Sequence, residues 1–268
     1  MIRAARGMIA RMRNLGGRLP VVIAGVAAGA MAIGYAFIFS GIAAPVRGDL
    51  ATLDAPVDDD AVPAILDDGR PVFVVRDPDG AVNVLDAAGR APTGALGGLV
   101  GWCTESRRFI DPLDGSAFAP DGRLLSGPAA TGMVAFAARP APDDAGHVIV
   151  GSDTVARGRA DTGADDDAGH CGDALVVHEP RAGETFDPSV AADAEPPGWI
   201  WLEGSLRSID GEARLCDGDG DACETSAPTL GIDRATLSDQ SVGGRFIGRV
   251  RDGAIEGLLL VPDPMEAP

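Results

Sequence analysis

Two aspartates three residues apart, Asp111 and Asp114, are the first residues of this chain whose spacing suggests metal chemistry. Carboxylates at that spacing can reach one hard cation, such as Ca²⁺ or Mg²⁺, which usually takes six or more oxygen ligands. The alternative is that both side chains fill solvent-facing loop positions. We favour this alternative, because two carboxylates are too few ligands for such a cation, and we predict no metal there.

A second acidic run, Asp-Gly-Asp-Gly-Asp at 217–221, imitates the start of an EF-hand calcium loop. The match fails further along the run. Ala222 stands where the motif requires glycine, and Pro228 stands where it requires a bidentate glutamate. At most a weak surface contact with Ca²⁺ is expected.

The chain has four cysteines. Cys216 and Cys223 flank the acidic run, and outside the membrane they are predicted to form a disulfide that closes a short loop at the tip of a hairpin. Cys103 and Cys171 are left over. They could pair with each other, but the sequence does not decide this.

The three histidines, His147, His170 and His178, have no ligand spacing among themselves. His170 stands beside Cys171 and several aspartates, but a solvated linker explains that composition better than a metal site does. No Ser–His–Asp arrangement, glycine-rich phosphate loop or zinc spacing is visible. We therefore predict that the protein is not an enzyme.

The charge of the chain excludes one class of partner. The net charge is −18, and residues 1–48 hold six arginines and no acid, so the remaining residues carry −24. Such a surface repels nucleic acids and anionic lipid headgroups. We therefore predict no binding to nucleic acid.

The N-terminal segment has the composition of a membrane anchor. Residues 19–46 contain no charge, which is long enough for one helix to cross a bilayer with some tilt. Five arginines precede this segment, so the positive-inside rule places residues 1–18 in the cytoplasm and the bulk of the chain outside the membrane. A signal peptide cleaved near Ala43 and Ala44 is the alternative.

The rest of the chain predicts a mainly β protein. Strand-like runs at 71–75 and 81–85 flank an Asp-Pro-Asp-Gly turn, and runs at 245–250 and 254–261 flank Arg-Asp-Gly. Ala-Pro-Asp-Gly at 119–122 predicts a further turn. The predicted organisation is a linker at 47–61, an antiparallel β domain at 62–156, an acidic linker at 157–195 and a small OB-like β-barrel domain at 196–262.

The first of these domains contains a distinctive order of residues: Gly-Trp-Cys at 101–103, then Pro112, Gly115-Ser116 and Gly-Pro-Ala at 127–129. With these residues it resembles a Rieske iron–sulfur domain, especially those of bacterial bc-type respiratory complexes. In that family two loops, C-x-H-x-G-C and C-P-C-H-G-S, supply two cysteines and two histidines that bind [2Fe–2S]. The two remaining cysteines bridge the loops.

The resemblance implies a cluster site that has lost its ligands. Thr93, Ala95, Asp111 and Asp114 stand at the four ligand positions. Gly98 and Leu113 stand at the two bridging positions. We therefore predict that the family's [2Fe–2S] cluster is absent and that no other cofactor replaces it.

The predicted function follows from this combination. We expect a single-pass, extracytoplasmic Rieske-like protein that is a structural or accessory subunit, with a protein partner in a respiratory or envelope complex. Two alternatives remain open. One is an electron-transfer subunit of a quinol-oxidising respiratory complex, and the other is a ligand-binding module acting through the C-terminal β domain.

Overall fold

The computed structural model describes residues 49–77, 79–89, 95–142, 144–160, 171, 175–180, 184–218, 223, 225–232, 237 and 241–262. The predicted cytoplasmic segment and the anchor at 19–46 lie outside these residues. Among the described residues, no helix has both the length and the apolar composition that crossing a bilayer requires. The described residues all belong to one compact unit.

The described residues are mainly strand, as predicted, and contain one short helix. In chain order the elements are β1 (Ala51–Asp54), β2 (Val62–Ile65), β3 (Pro71–Arg76), β4 (Val82–Asp86), β5 (Gly97–Gly98), β6 (Gly101–Cys103), β7 (Arg108–Ile110), β8 (Ala117–Phe118), β9 (Leu124–Ser126), β10 (Val134–Ala141), β11 (Asp144–Ala156), β12 (Thr185–Phe186), α1 (Pro188–Ala194), β13 (Trp199–Ile209), β14 (Glu212–Asp217), β15 (Ser226–Leu230), β16 (Val242–Arg251) and β17 (Ala254–Leu260).

The first sheet has the order β1-β11-β10-β4-β3-β2, and all its neighbouring strands are antiparallel. The predicted hairpin is its β3–β4 pair. Its turn closes where the Asp77 N–H donates to the Ala81 carbonyl at 2.7 Å and the Gly80 N–H donates to the Asp77 carbonyl at 2.8 Å. β3 is buried on both faces, so its valines pack into two different clusters.

A smaller sheet, β6-β7-β8-β9, is a run of antiparallel neighbours. Its predicted turn at 119–122 closes with a 2.8 Å hydrogen bond from the Gly122 N–H to the Ala119 carbonyl. Trp102, Phe109 and Phe118 are fully buried and pack with Phe73 of the first sheet. This small sheet presents the turn between β7 and β8, which contains Asp111 and Asp114.

Strands β13 to β17 form a barrel-like sheet. Its order is β13-β14-β15-β17-β16, and β16 pairs back onto β13. β15 and β17 are parallel, while the other neighbouring pairs are antiparallel. Alternate residues point inward, so that Leu202, Phe246 and Ile255 form its interior. We call strands β13–β17 the barrel.

The two predicted β domains share both a sheet and a core. β5 pairs in parallel with the end of β17, and the Leu99 N–H donates to the Leu260 carbonyl at 2.9 Å. Trp201 and Ile247, on the outer face of the barrel, lie in the same buried cluster as Phe73. The predicted boundaries at 62–156 and 196–262 therefore fall inside one compact unit.

The segment predicted as an acidic linker, 157–195, contains folded elements among its described residues. Val176 forms a β-bridge with Trp102, and α1 places Ala191 in the interior cluster of the barrel. β12 adds a short parallel strand beside β13. These parts of the segment pack against the two β regions.

Candidate functional site

The turn between β7 and β8, residues 111–116, is held by its own backbone and by two aspartates. The Asp111 N–H donates to the Ser116 carbonyl and the Gly115 N–H donates to the Asp111 carbonyl, both at 2.8 Å. Asp111 Oδ1 accepts from the Leu113 N–H at 2.9 Å, and Asp114 Oδ1 accepts from the Ser116 N–H at 2.8 Å. Both carboxylates thus act as local turn-forming acceptors.

The two predicted bridging positions lie side by side. A Cβ atom built on Gly98 would be 3.2 Å from the Leu113 Cβ, close to the ~3.5–4.5 Å that separates the Cβ atoms of a disulfide. The Gly98 carbonyl also accepts from the Gly89 N–H at 2.7 Å. The two positions that the resemblance aligns with bridging cysteines are therefore neighbours in the structure.

A third loop, residues 127–129, closes over the same turn. The Ala129 N–H donates to Ser116 Oγ at 3.0 Å. At Gly127, φ is +99° and a Cβ would be 2.4 Å from the Ser116 Cα, so a side chain has no room. We call residues 95–98, 111–116 and 127–129 the tip.

Known proteins are similar to this chain only in structure. No protein-family model and no curated protein matches it. One solved structure, the plasma membrane Rieske protein PetC3 of the cyanobacterium Synechocystis PCC 6803, is 20% identical with a TM-score of 0.32, over 38% of this chain and 99% of that one. Another, named as an NADH-dependent nitrite reductase small subunit of Mycobacterium tuberculosis, is 26% identical with a TM-score of 0.27, over 39% of this chain and 96% of that one.

Both likenesses have TM-scores below 0.5, so the Rieske-like domain stays a prediction from the sequence. Within this chain, the supporting geometry is the meeting of Gly98 with Leu113 and the third loop that closes on Ser116. Thr93 lies outside the described residues, whereas Ala95 is half-buried beside β5. The structure therefore brings together Asp111, Asp114, Gly98 and Leu113.

The environment of Asp111 is unusual for an aspartate. Its exposed fraction is 1%, and burial together with the neighbouring charge of Asp114 raises its pKa to about 6, against the hydrogen bonds from the Leu113 and Asp114 N–H groups. The carboxyl lies against Gly89, where a built Cβ would overlap Oδ2 at 2.1 Å. The Asp111 carboxyl therefore fills the space beside the Gly89 backbone.

The donor set of the tip does not fit a [2Fe–2S] cluster. Thiolate and imidazole are the ligands of Rieske clusters, but the second loop offers only the carboxylates of Asp111 and Asp114. Asp111 uses Oδ1 within its own loop. In the described part of the chain, no group of three or more His, Cys, Asp or Glu side chains is arranged to hold a metal.

The cysteine beside the tip has a different use. Cys103 in β6 forms a disulfide with Cys171, across 68 residues of sequence. Both are buried in one small cluster with Ile110, Leu175 and Val177. This pairing, left open by the sequence, attaches the segment after residue 170 to the small sheet.

The predicted disulfide, Cys216–Cys223, is present. Asp217, the first residue of the EF-hand-like run, caps the start of α1 by accepting from the Ser189 N–H at 2.8 Å. The hydroxyls of Ser189 and Thr225 also donate to its Oδ2. Burial opposes ionisation of Asp217, but these hydrogen bonds outweigh it and lower the pKa.

His178 is a structural residue that sequence reasoning missed. Its exposed fraction is 2%, and its ring packs edge-on against Phe73 with centroids 4.5 Å apart. Nε2 lies 2.8 Å from the Val72 carbonyl and 3.2 Å from the Ala64 carbonyl, and burial lowers its pKa to about 4. A neutral ring whose Nε2–H donates to these carbonyls ties β2 and β3 together, and the Leu-Val-Val run before it was the available signal.

Proposed function

We propose that this protein is a membrane-anchored, extracytoplasmic Rieske-like protein without an iron–sulfur cluster, which serves as an accessory or interaction subunit of a larger assembly. The observation that supports this most is the buried carboxyl of Asp111 at a ligand position. Its Oδ1 is committed to the Leu113 N–H, and its Oδ2 occupies the space beside Gly89.

The proposal assigns the tip a structural and docking role. One flank of the tip, β5, is hydrogen-bonded to β17, so the barrel covers it. Leu113 is 46% exposed although it stands at a position that the family gives to a bridging cysteine. An exposed leucine on a rigid turn suits contact with another protein.

The barrel and the N-terminal segment complete the proposal. The strand order β13-β14-β15-β17-β16 with β13–β16 closure supports an OB-like barrel. The uncharged residues 19–46 after five arginines support a single-pass anchor with the acidic bulk of the chain outside the membrane.

Metal analysis of the purified full chain tests the absence of a cluster. We expect a colourless protein with no stoichiometric iron or sulfide and no rhombic Rieske-type EPR signal after reduction. A variant that restores all six family residues at positions 93, 95, 98, 111, 113 and 114, expressed in the same cells, serves as the control for cluster supply. Stoichiometric iron and the rhombic signal in the unmodified chain would establish the electron-transfer alternative.

Site-specific photo-crosslinking in membranes tests the docking role. A photoreactive residue replaces Leu113 at the tip or, as a matched control, Leu230 of the barrel, which is 52% exposed. We expect a discrete adduct with one membrane-associated protein from position 113 and much less of it from position 230. Equal labelling from both positions, or no adduct from position 113, contradicts docking through the tip.

A further inference from the structure

A cleft of about 450 Å³ opens where the tip meets the barrel. Its apolar wall is formed by Pro112 and Leu113 of the tip together with Val261 and Pro262 at the end of the barrel. Its charged wall carries Glu203 of β13 and Arg245 of β16. Pockets for small molecules have volumes of roughly 300–1,000 Å³ and combine apolar walls with a few placed polar groups.

Glu203 and Arg245 are direct cross-strand partners, so their side chains start side by side on one face. It is the outer face of the barrel, because Trp201 and Ile247, the neighbouring pair in the same ladder, are buried against the first sheet. Glu203 and Arg245 therefore lie next to this buried pair on the same face of the barrel, where the cleft at the tip begins.

Neither charged group is used within the described structure. The Arg245 guanidinium and the Glu203 carboxylate make no hydrogen bond or ion pair there, although they face each other in register. Arg249, four residues along β16, behaves differently, since its guanidinium is 3.3 Å from Glu256 and 5.2 Å from the Trp199 ring centroid. An acid and a base without partners therefore stand beside an apolar wall.

We propose that this cleft binds a small zwitterion that carries an apolar body. Arg245 would hold its anionic group, Glu203 its ammonium group, and Pro112, Leu113 and Val261 its apolar part. A simple anion would be repelled by Glu203 and a simple cation by Arg245. The chemistry is shared by free apolar α-amino acids and by the headgroup region of phosphatidylethanolamine. The proposal does not rest on the accessory role, because binding needs neither a cluster nor a protein partner, although Leu113 belongs to both the cleft and the proposed docking surface.

Calorimetric titration of the full chain tests the ligand class. The probes are L-leucine, L-phenylalanine and short-chain phosphatidylethanolamine, with L-leucinamide lacking the anionic group and isocaproate lacking the ammonium group. We expect saturable binding of at least one zwitterion, and binding of both single-charge analogues weaker by about tenfold or more, the value of one lost charge-assisted hydrogen bond. The amino-acid and phospholipid probes then identify the source.

Charge-removing variants tie the binding to the cleft. Arg245→Gln and Glu203→Gln should each weaken zwitterion binding by about tenfold. Arg251→Gln and Glu212→Gln are the matched controls, because both side chains are 72% exposed on barrel strands and neither lines the cleft. They should bind as the unmodified chain does. In addition, Arg245→Gln should bind L-leucine and L-leucinamide equally.

Three outcomes overturn the proposal. One is the absence of saturable binding of every zwitterion up to ~10 mM, which is about ten times the Kd of a weak, millimolar site. Another is binding of the single-charge analogues as tight as that of the zwitterions. The third is an equal loss of binding in the control variants. Thermal unfolding of each variant shows that the comparison is made between folded proteins.

Discussion

Two acidic loops of this protein look alike in sequence, but the pKa values of their aspartates shift in opposite directions. At the tip, Asp111 is almost completely buried among backbone groups, and its pKa is raised to about 6. In the barrel, Asp217 lies between Ser189 and Thr225, and its pKa is lowered. The barrel loop is closed by the Cys216–Cys223 disulfide, whereas the tip is closed by the contact of Gly98 with Leu113.

The opposite pKa shifts of Asp111 and Asp217 show that burial and the number of hydrogen-bond donors together decide whether a carboxyl is charged. Asp111 receives backbone N–H bonds, but burial and the charge of Asp114 outweigh them. Asp217 keeps more solvent contact and gains two hydroxyl donors besides a backbone N–H, so its charged form is preferred. In both loops the carboxylate serves the fold, and spacing between aspartates alone did not reveal this.

The largest expected effect comes from giving the tip the bridge that the barrel loop has. The double variant Gly98→Cys/Leu113→Cys should form a third disulfide, since the built Cβ at Gly98 lies 3.2 Å from the Leu113 Cβ. Closing a loop of ~15 residues should raise the free energy of unfolding by about 3 kcal/mol. The Cβ of the new side chain at position 98 would be 3.2 Å from Asp111 Oδ1, and strain from this close contact would reduce the gain in the free energy of unfolding.

Mass measurement with and without reductant counts the thiols. Urea unfolding of the oxidised double variant and of its control, both without reductant, measures the contribution of the bridge, because reductant would also break Cys103–Cys171 and Cys216–Cys223. The double variant Gly98→Ala/Leu113→Ala is the matched control for side-chain changes at these positions. Two free thiols at positions 98 and 113 in the folded, oxidised protein would show that the tip loops do not meet as described.

The next effect concerns the charge of Asp111. A raised pKa means that the folded state binds more protons than the unfolded state between pH 3.8 and about 6. Stability should therefore fall as the pH rises through this window, and the loss should persist above it. Asp111→Asn should raise the free energy of unfolding by roughly 2–3 kcal/mol above pH 6, and this gain should vanish near pH 4.

Urea unfolding of the unmodified chain and of Asp111→Asn at a series of pH values measures this difference. Asp252→Asn is the control for the removal of a carboxylate, because that side chain is 94% exposed. A difference between Asp111→Asn and the unmodified chain that does not change with pH would contradict the raised pKa.

Sequence reasoning was most successful where the signal is local. The β3–β4 hairpin, the turn at 119–122 and the hairpin at Arg251 depend on turn residues next to strand-forming runs. The position of Gly98 came from its spacing to the Gly-Trp-Cys sequence, and that of Leu113 came from the match of the second loop around Pro112, Gly115 and Ser116. The disulfide between Cys216 and Cys223 needed only a seven-residue separation.

The features that sequence reasoning could not predict depend on distant segments. The Cys103–Cys171 pair spans 68 residues. β5 consists of two glycines, which have low strand propensity, and pairs with β17 about 160 residues later in the chain. Burial of Asp111 likewise requires the backbone at Gly89 to approach the loop that contains Asp111. Because glycine has no side chain, the sequence around Gly89 contains no hydrophobic pattern that predicts this contact.

The smallest expected effect tests the other side of the comparison. Asp217→Asn loses one charged acceptor for the Ser189 and Thr225 hydroxyls and should lower the free energy of unfolding at neutral pH by about 1–2 kcal/mol. Because the pKa of Asp217 is lowered, the folded state binds fewer protons than the unfolded state. The contribution of its charge is therefore complete above pH 3.8 and is lost as the pH falls further.

Ser189→Ala and the double variant with Asp217→Asn complete a thermodynamic cycle for this hydrogen bond. If the Ser189 hydroxyl donates to the Asp217 carboxylate, the losses of unfolding free energy in the two single variants should sum to more than the loss in the double variant. Full additivity of these losses would show that the two side chains do not interact. Measured across pH, the loss of unfolding free energy in Asp217→Asn should grow as the pH rises toward 3.8. The gain of unfolding free energy in Asp111→Asn should instead grow between pH 3.8 and about 6. Because both carboxyls belong to one compact unit, a general effect of pH on folding could not produce these two opposite responses, and only their different surroundings could.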